Sequence, residues 1–152
     1  MTVHRKIKRR DDLLGAAMLY ISQFMLQTVM EAGENKVGVE RIGAITRRLF
    51  ELVSLNKPLR FLLTNEPECA LRLLTTKQGP VQAQFILFVE ALLDIEIKEG
   101  HLHPTMDLHT LAYLLVRIGE SFMYSDAIAD QPVDIDQAHK CIVDVLRTQV
   151  VV

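Results

Sequence analysis

Residues 107–130 read DLHTLAYLLVRIGESFMYSDAIAD, and the reading of this stretch decides the fold. Its spacing predicts one helix of about six turns at 3.6 residues per turn. Leu108, Leu111, Ala112, Leu115, Gly119 and Phe122 form one apolar face, and Leu114, Ile118 and Ile128 another. A helix apolar on more than one side is normally buried on more than one side. A third face carries Thr110, Tyr113, Arg117, Glu120 and Tyr124 at three-and-four spacing, so neighbours along it can touch. A charge pair flanked by tyrosines is costly to bury without partners. It is therefore either a core specificity device or the polar part of a small-molecule pocket.

At 152 residues the chain fits a single domain. Hydrophobic residues make up 49%, Trp is absent and Gly and Pro are few. Only Thr2-Val3 and the closing Val150-Val151-Val152 resemble strand sequence, which favours an all-α bundle. Residues 1–10 hold five of the 17 Lys and Arg and none of the 19 acids. This segment is expected to be a disordered basic tail. Residues 11–152 carry a net −7, a poor surface for nucleic acid. Cys69 and Cys141 lack metal or redox spacing, which suits a reduced cytoplasmic protein. Leu13–Met30 is eighteen residues without a charge, long enough to raise the question of a membrane span. Ser22, Gln23, Gln27 and Thr28 interrupt it, and a central bundle helix is the expectation.

That first helix is expected from Asp11 or Asp12, as cap, to about Ala32, with Leu14, Ala17, Ile21, Met25 and Val29 in line. Helices over 37–55, 58–63 and 67–75 follow, with Pro58 and Pro67 opening the two short ones. A long helix over 81–99 carries Val81, Phe85, Phe88, Leu92 and Ile95. Asp134 and Gln137 form a capping pair for a last helix over 134–150.

The expected pocket is lined by Phe24, Met25, Phe50, Phe85, Phe88 and Met123. Its polar points are Arg117, Glu120, Tyr113, Tyr124 and Gln84, with the Arg117 fork best suited to a carbonyl or carboxylate oxygen. No nucleophile or electrophile accompanies Glu120, so no catalytic residue is assigned and an enzyme is not expected. His101, His103, Asp107 and His109 are too loosely spaced for a metal, and no cofactor is expected.

The last two helices leave apolar surface that four other helices of this length do not cover. Such patches mark interfaces, and two hairpins across a two-fold axis make a four-helix bundle. The seam is placed on Leu115, Gly119, Phe122, Ala138, Ile142, Val145 and Leu146. The competing reading is that the first helix covers this patch within the protomer.

The order and spacing of these helices resemble the C-terminal regulatory domain of TetR-family transcriptional repressors. Residues 20–35 (YISQFMLQTVMEAGEN), 48–82 (RLFELVSLNKPLRFLLTNEPECALRLLTTKQGPVQ) and 116–129 (VRIGESFMYSDAIA) resemble the QsdR-like subgroup. The resemblance covers residues 11–149. It implies an all-α homodimer joined by its last two helices, with a cavity walled by 11–32, 37–55, 81–99 and 107–130. It also implies a small-molecule effector, a lactone or related acyl compound; in the pocket expected above its ring would meet Arg117. Such repressors read DNA through an N-terminal helix-turn-helix of roughly fifty residues. Only MTVHRKIKRR precedes the resemblance here, so this chain is expected to have no sequence-specific DNA contact of its own. A ligand-free module that pairs with full-length regulators is the alternative.

Overall fold

The computed structural model describes residues 2–149, and all its regular elements are helical. Helix α1 spans Val3–Thr28 and tightens into a 3-10 turn at Val29–Gly33. Then come α2 (Gly38–Leu55), α3 (Lys57–Asn65), α4 (Pro67–Thr75), α5 (Val81–Lys98), α6 (Leu108–Met123), α7 (Ser125–Ala129) and α8 (Ile135–Thr148). The strand-like Val150–Val152 and the expected end of the last helix at Val150 lie outside the described residues.

The body is built from α2, α5, α6 and α8. Helices α5 and α6 pack along one another, and α8 lies across both α6 and α2. Ile42 and Ile45, Leu93, Leu111 and Leu115, and Ile142 and Leu146 are almost wholly removed from water in this layer. Small residues set the crossings. A Cβ on Gly119 of α6 would lie 3.0 Å from the Phe50 ring of α2, and one on Gly43 of α2 would lie 3.1 Å from Val143 of α8. Helix α4 packs against both α1 and α3, with α1 and α4 also against α5 and α3 against α2.

Local chemistry accounts for most of the boundaries. Asn56 caps α3 by accepting from the Leu59 N–H at 2.9 Å, with Pro58 in the first turn. Asp107 accepts from the Thr110 N–H at 3.0 Å, and the Thr110 hydroxyl first, with that N–H, holds its carboxyl below the ordinary value. Asp134 accepts from Gln137 at 2.9 Å, but the Gln137 side chain turns to Cys141, so only half of a capping box forms.

Three expectations are corrected. Residues 3–10 are helical, not disordered, and lengthen α1 to 26 residues, about 39 Å at 1.5 Å per residue. Neither Asp11 nor Asp12 is a cap. Asp11 sits within α1 and accepts from Arg72 of α4, while Arg10 donates to Glu66 at 2.5 Å. The helix expected over 107–130 breaks at Tyr124 (φ −113, ψ 17) into α6 and α7. No Gly or Pro marks the break. It is held from outside, since Arg60 of α3 donates to the freed Met123 carbonyl at 2.7 Å. Ser125 Oγ donates within 2.8 Å of Phe122 O and 3.1 Å of Pro132 O.

By length and composition the helical run Val3–Gly33 could cross a bilayer, a test that core helices also pass. In this fold its Gly15, Met18, Ser22, Met25 and Leu26 face inward. Glu96 ties α5 to the start of α2. Its buried carboxylate accepts from Gly38 N–H at 2.6 Å and Arg41 Nη1 at 2.9 Å, and lies 3.0 Å from His101 Nδ1. Gly38 stands at φ +58, a conformation that favours glycine.

Candidate functional site

Between α1 and α3, floored by α4 and α5, lies a cavity of about 340 Å³. Its α1 wall runs Leu14, Ala17, Met18, Ile21, Ser22 and Met25, the inward line that helical spacing dictates. Leu59, Phe61 and Leu62 of α3 face it, and Leu74, Val81, Phe85 and Val53 complete the apolar floor. The polar groups on its walls are few: Arg10, Glu66, Ser22 and Tyr124. Arg10 and Glu66 form an ion pair at the solvent-exposed end, with side chains 51% and 40% exposed.

Tyr124 lies at the other extreme, only 4% exposed. Burial pushes its phenol well above the ordinary value, and the nearby Glu120 charge pushes it further. It therefore stays protonated as a hydrogen-bond donor. Tyr124 stands at the α6–α7 break and lines the cavity. Ser22 is already committed, donating to Leu19 O at 2.8 Å and lying 2.9 Å from Gln84 Oε1.

A second void of about 50 Å³ lies deeper, between α2, α5 and α6, and shares Val53, Phe85 and Tyr124 with the first. Glu120 borders it. Burial raises the Glu120 carboxyl, opposed by hydrogen bonds from Gln82 (2.9 Å) and Arg117 (3.0 Å).

The residues expected for the pocket divide between several places. Met25, Phe85 and Tyr124 do line the main cavity. Phe50, Met123 and Glu120 border the smaller void. Gln84 and Phe88 line an open groove on another side of α1, and Phe24 is 67% exposed. Arg117 and Tyr113 are the main correction. Arg117 lies at the surface, donates to the Tyr113 hydroxyl (3.0 Å) and the Thr75 carbonyl (3.1 Å), and stacks 5.2 Å from the Tyr113 ring. It pins α6 to the end of α4. Missing from the expectation were Leu14 and Ile21, which the same periodicity had marked as core, together with Met18 and with Leu59 and Leu62 of the short α3. Nothing in the sequence shows that α1 and α3 stand apart instead of touching.

The expected seam is also redistributed. Leu115, Gly119, Ala138, Ile142 and Leu146 are buried inside the protomer, where α6 and α8 meet α2. The helix that covers this face is α2, not the first helix. Phe122 and Val145 remain half-buried. The opposite side of the hairpin carries half-buried Leu114, Ile118 and Cys141. Of the histidines considered for a metal, His109 pairs with Glu90, and His101 belongs to the Glu96 tie. Glu96, Glu99 and His101 bring ligand atoms within 4.8 Å of one another, but the Glu96 oxygens are already occupied.

The solved structure of the R. erythropolis transcriptional repressor QsdR, of the TetR family, has this fold, with a TM-score of 0.77. Identity is 23%, over 91% of this chain and 72% of that one. No curated protein matches this sequence. Residues 37–147 match the family described as tetracyclin repressor-like, C-terminal domain. That match spans most of the chain, and the protein belongs to this family as a regulatory domain of the TetR type.

Proposed function

We propose that this chain binds a small amphipathic effector in the cavity between α1 and α3 and works as a cytoplasmic homodimer, with no enzymatic role. The observation that carries the reading is the cavity itself. Apolar side chains wall about 340 Å³, with a buried phenol at one end and an ion pair at the other. That volume falls near the low end of the range of roughly 300–1,000 Å³ for small-molecule sites. A lactone or acyl compound suits such walls, but its ring would not sit at Arg117, which is outside them.

The dimer would form on the outer side of the α6–α8 hairpin. Leu114, Ile118 and Phe122 follow one another at i, i+4 and i+8, beside Cys141 and Val145. This half-buried stripe replaces the seam expected from sequence. Contact with DNA would pass through a helix-turn-helix that these residues do not supply.

Two measurements test the reading. Screening small amphipathic compounds for thermal stabilisation should find ligands, since one at a hundredfold over its Kd adds about 2.7 kcal/mol. Sedimentation at micromolar concentration should show a dimer, which Phe122→Arg converts to folded monomer by leaving a charge unpaired at the seam. Leu115→Arg should instead abolish folding. A parent protein already monomeric, or a Phe122→Arg dimer, removes the interface.

A further inference from the structure

The walls also specify what the effector must be, given the reading of this cavity as the effector site. We propose that it takes an uncharged molecule whose oxygen acceptor meets the Tyr124 hydroxyl and whose alkyl portion lies along α1 toward the Arg10–Glu66 mouth. Three observations carry this.

The first is hydrogen-bonding capacity. Ser22 is spent on Leu19 and Gln84, whereas no hydrogen bond to the Tyr124 hydroxyl exists among the described residues. A donor that opens into an apolar cavity with no protein partner favours a ligand that brings an acceptor. The second is charge. Among the described residues the one cation on the walls is Arg10, already held by Glu66 at 2.5 Å, so those residues offer no free positive group to an anion. A carboxylate head at Tyr124 would also face the buried Glu120 charge. Arg60 lies near but is not on the walls: its two Nη atoms are held by Asp126 and the Met123 carbonyl, its charge is paired with Asp126 at 3.3 Å, and only its buried Nε lacks a partner. An ion moved from water into such a site is strongly disfavoured. The third is shape. Apart from Tyr124, the Arg10–Glu66 mouth, the committed Ser22 and Pro58, the walls are Leu, Ile, Met, Val, Ala and Phe, which recognise methylene groups and little else.

A matched set of probes tests this by calorimetry at pH 7: hexan-2-one, octan-2-one and decan-2-one against octanoate. Ketone affinity should rise about fourfold per methylene until the cavity is full. Octanoate, ionised at that pH, should bind at least about tenfold more weakly than octan-2-one. Tyr124→Phe should weaken every ketone about three- to tenfold and leave the chain-length slope unchanged. Octanoate binding more tightly than octan-2-one would overturn the uncharged class while leaving the effector site standing. An unchanged ketone affinity in a folded Tyr124→Phe protein would overturn the placement of the head. If no ketone and no octanoate binds the parent protein, both this inference and the effector reading fall. The comparison of ketone with octanoate needs no variant.

Discussion

Arg117→Met separates a structural role from a ligand role at the polar cluster that first draws attention in this sequence. In the fold Arg117 makes three hydrogen bonds, to the Tyr113 hydroxyl, the Thr75 carbonyl and Glu120, at 3.0–3.1 Å. Hydrogen bonds to charged groups contribute about 1.5–3 kcal/mol each when buried. The Arg117 side chain is 40% exposed, so water can replace much of what is lost. Glu120 has a side chain only 11% exposed, but it keeps both contacts from Gln82, at 2.9 and 3.2 Å. The methionine also retains most of the apolar stem packing. A net loss of about 2 kcal/mol follows, or about 4–8 °C in Tm for a chain of this size. Differential scanning calorimetry measures that directly. Because Arg117 is not on the cavity wall, the added stabilisation from saturating octan-2-one should equal that of the parent. A variant that melts within a degree or so of the parent yet loses the ligand response would refute this placement of Arg117.

Glu96→Leu should cost about 3–5 kcal/mol in urea unfolding, since it strands the Gly38 N–H and the half-buried Arg41. A loss under about 1 kcal/mol would show that the tie between α5 and α2 is dispensable. Glu120 supplies a pH dependence: its carboxyl is raised by burial from an ordinary 4.5, so folding favours the protonated acid. Stability is therefore lost as pH climbs from that value through the raised one, and the penalty is complete above it. Glu120→Gln should gain on the parent across this window and level off beyond it. A difference in stability that stays flat with pH would contradict the sign.

The helix inventory was legible because its signals are local. Asn56, Pro58, Pro67, Asp107 and Asp134 act through the first turn of their own helices, and each lies where its side chain or ring demands. Apolar periodicity likewise marked Leu14, Ile21 and Met25 as one inward line of α1. The resemblance carried by residues 20–35, 48–82 and 116–129 reached the family for the same reason, since short stretches keep local patterns. What the sequence left undecided were distances between helices. Leu115, Gly119 and Ile142 were seen to be apolar, but only the packing of α2 shows them to be interior and not a seam. The break at Tyr124 has no local breaker. It exists because Arg60, 63 residues away from Met123 in the chain, takes the carbonyl that an unbroken helix would use. Arg117 and Glu120 share a helical face by spacing, yet one reaches water and the other a buried void, a difference set by where α4 ends and α5 begins. Periodicity states which side of a helix is apolar; whether that side meets another helix, a partner or a cavity depends on the separation of elements far apart in sequence.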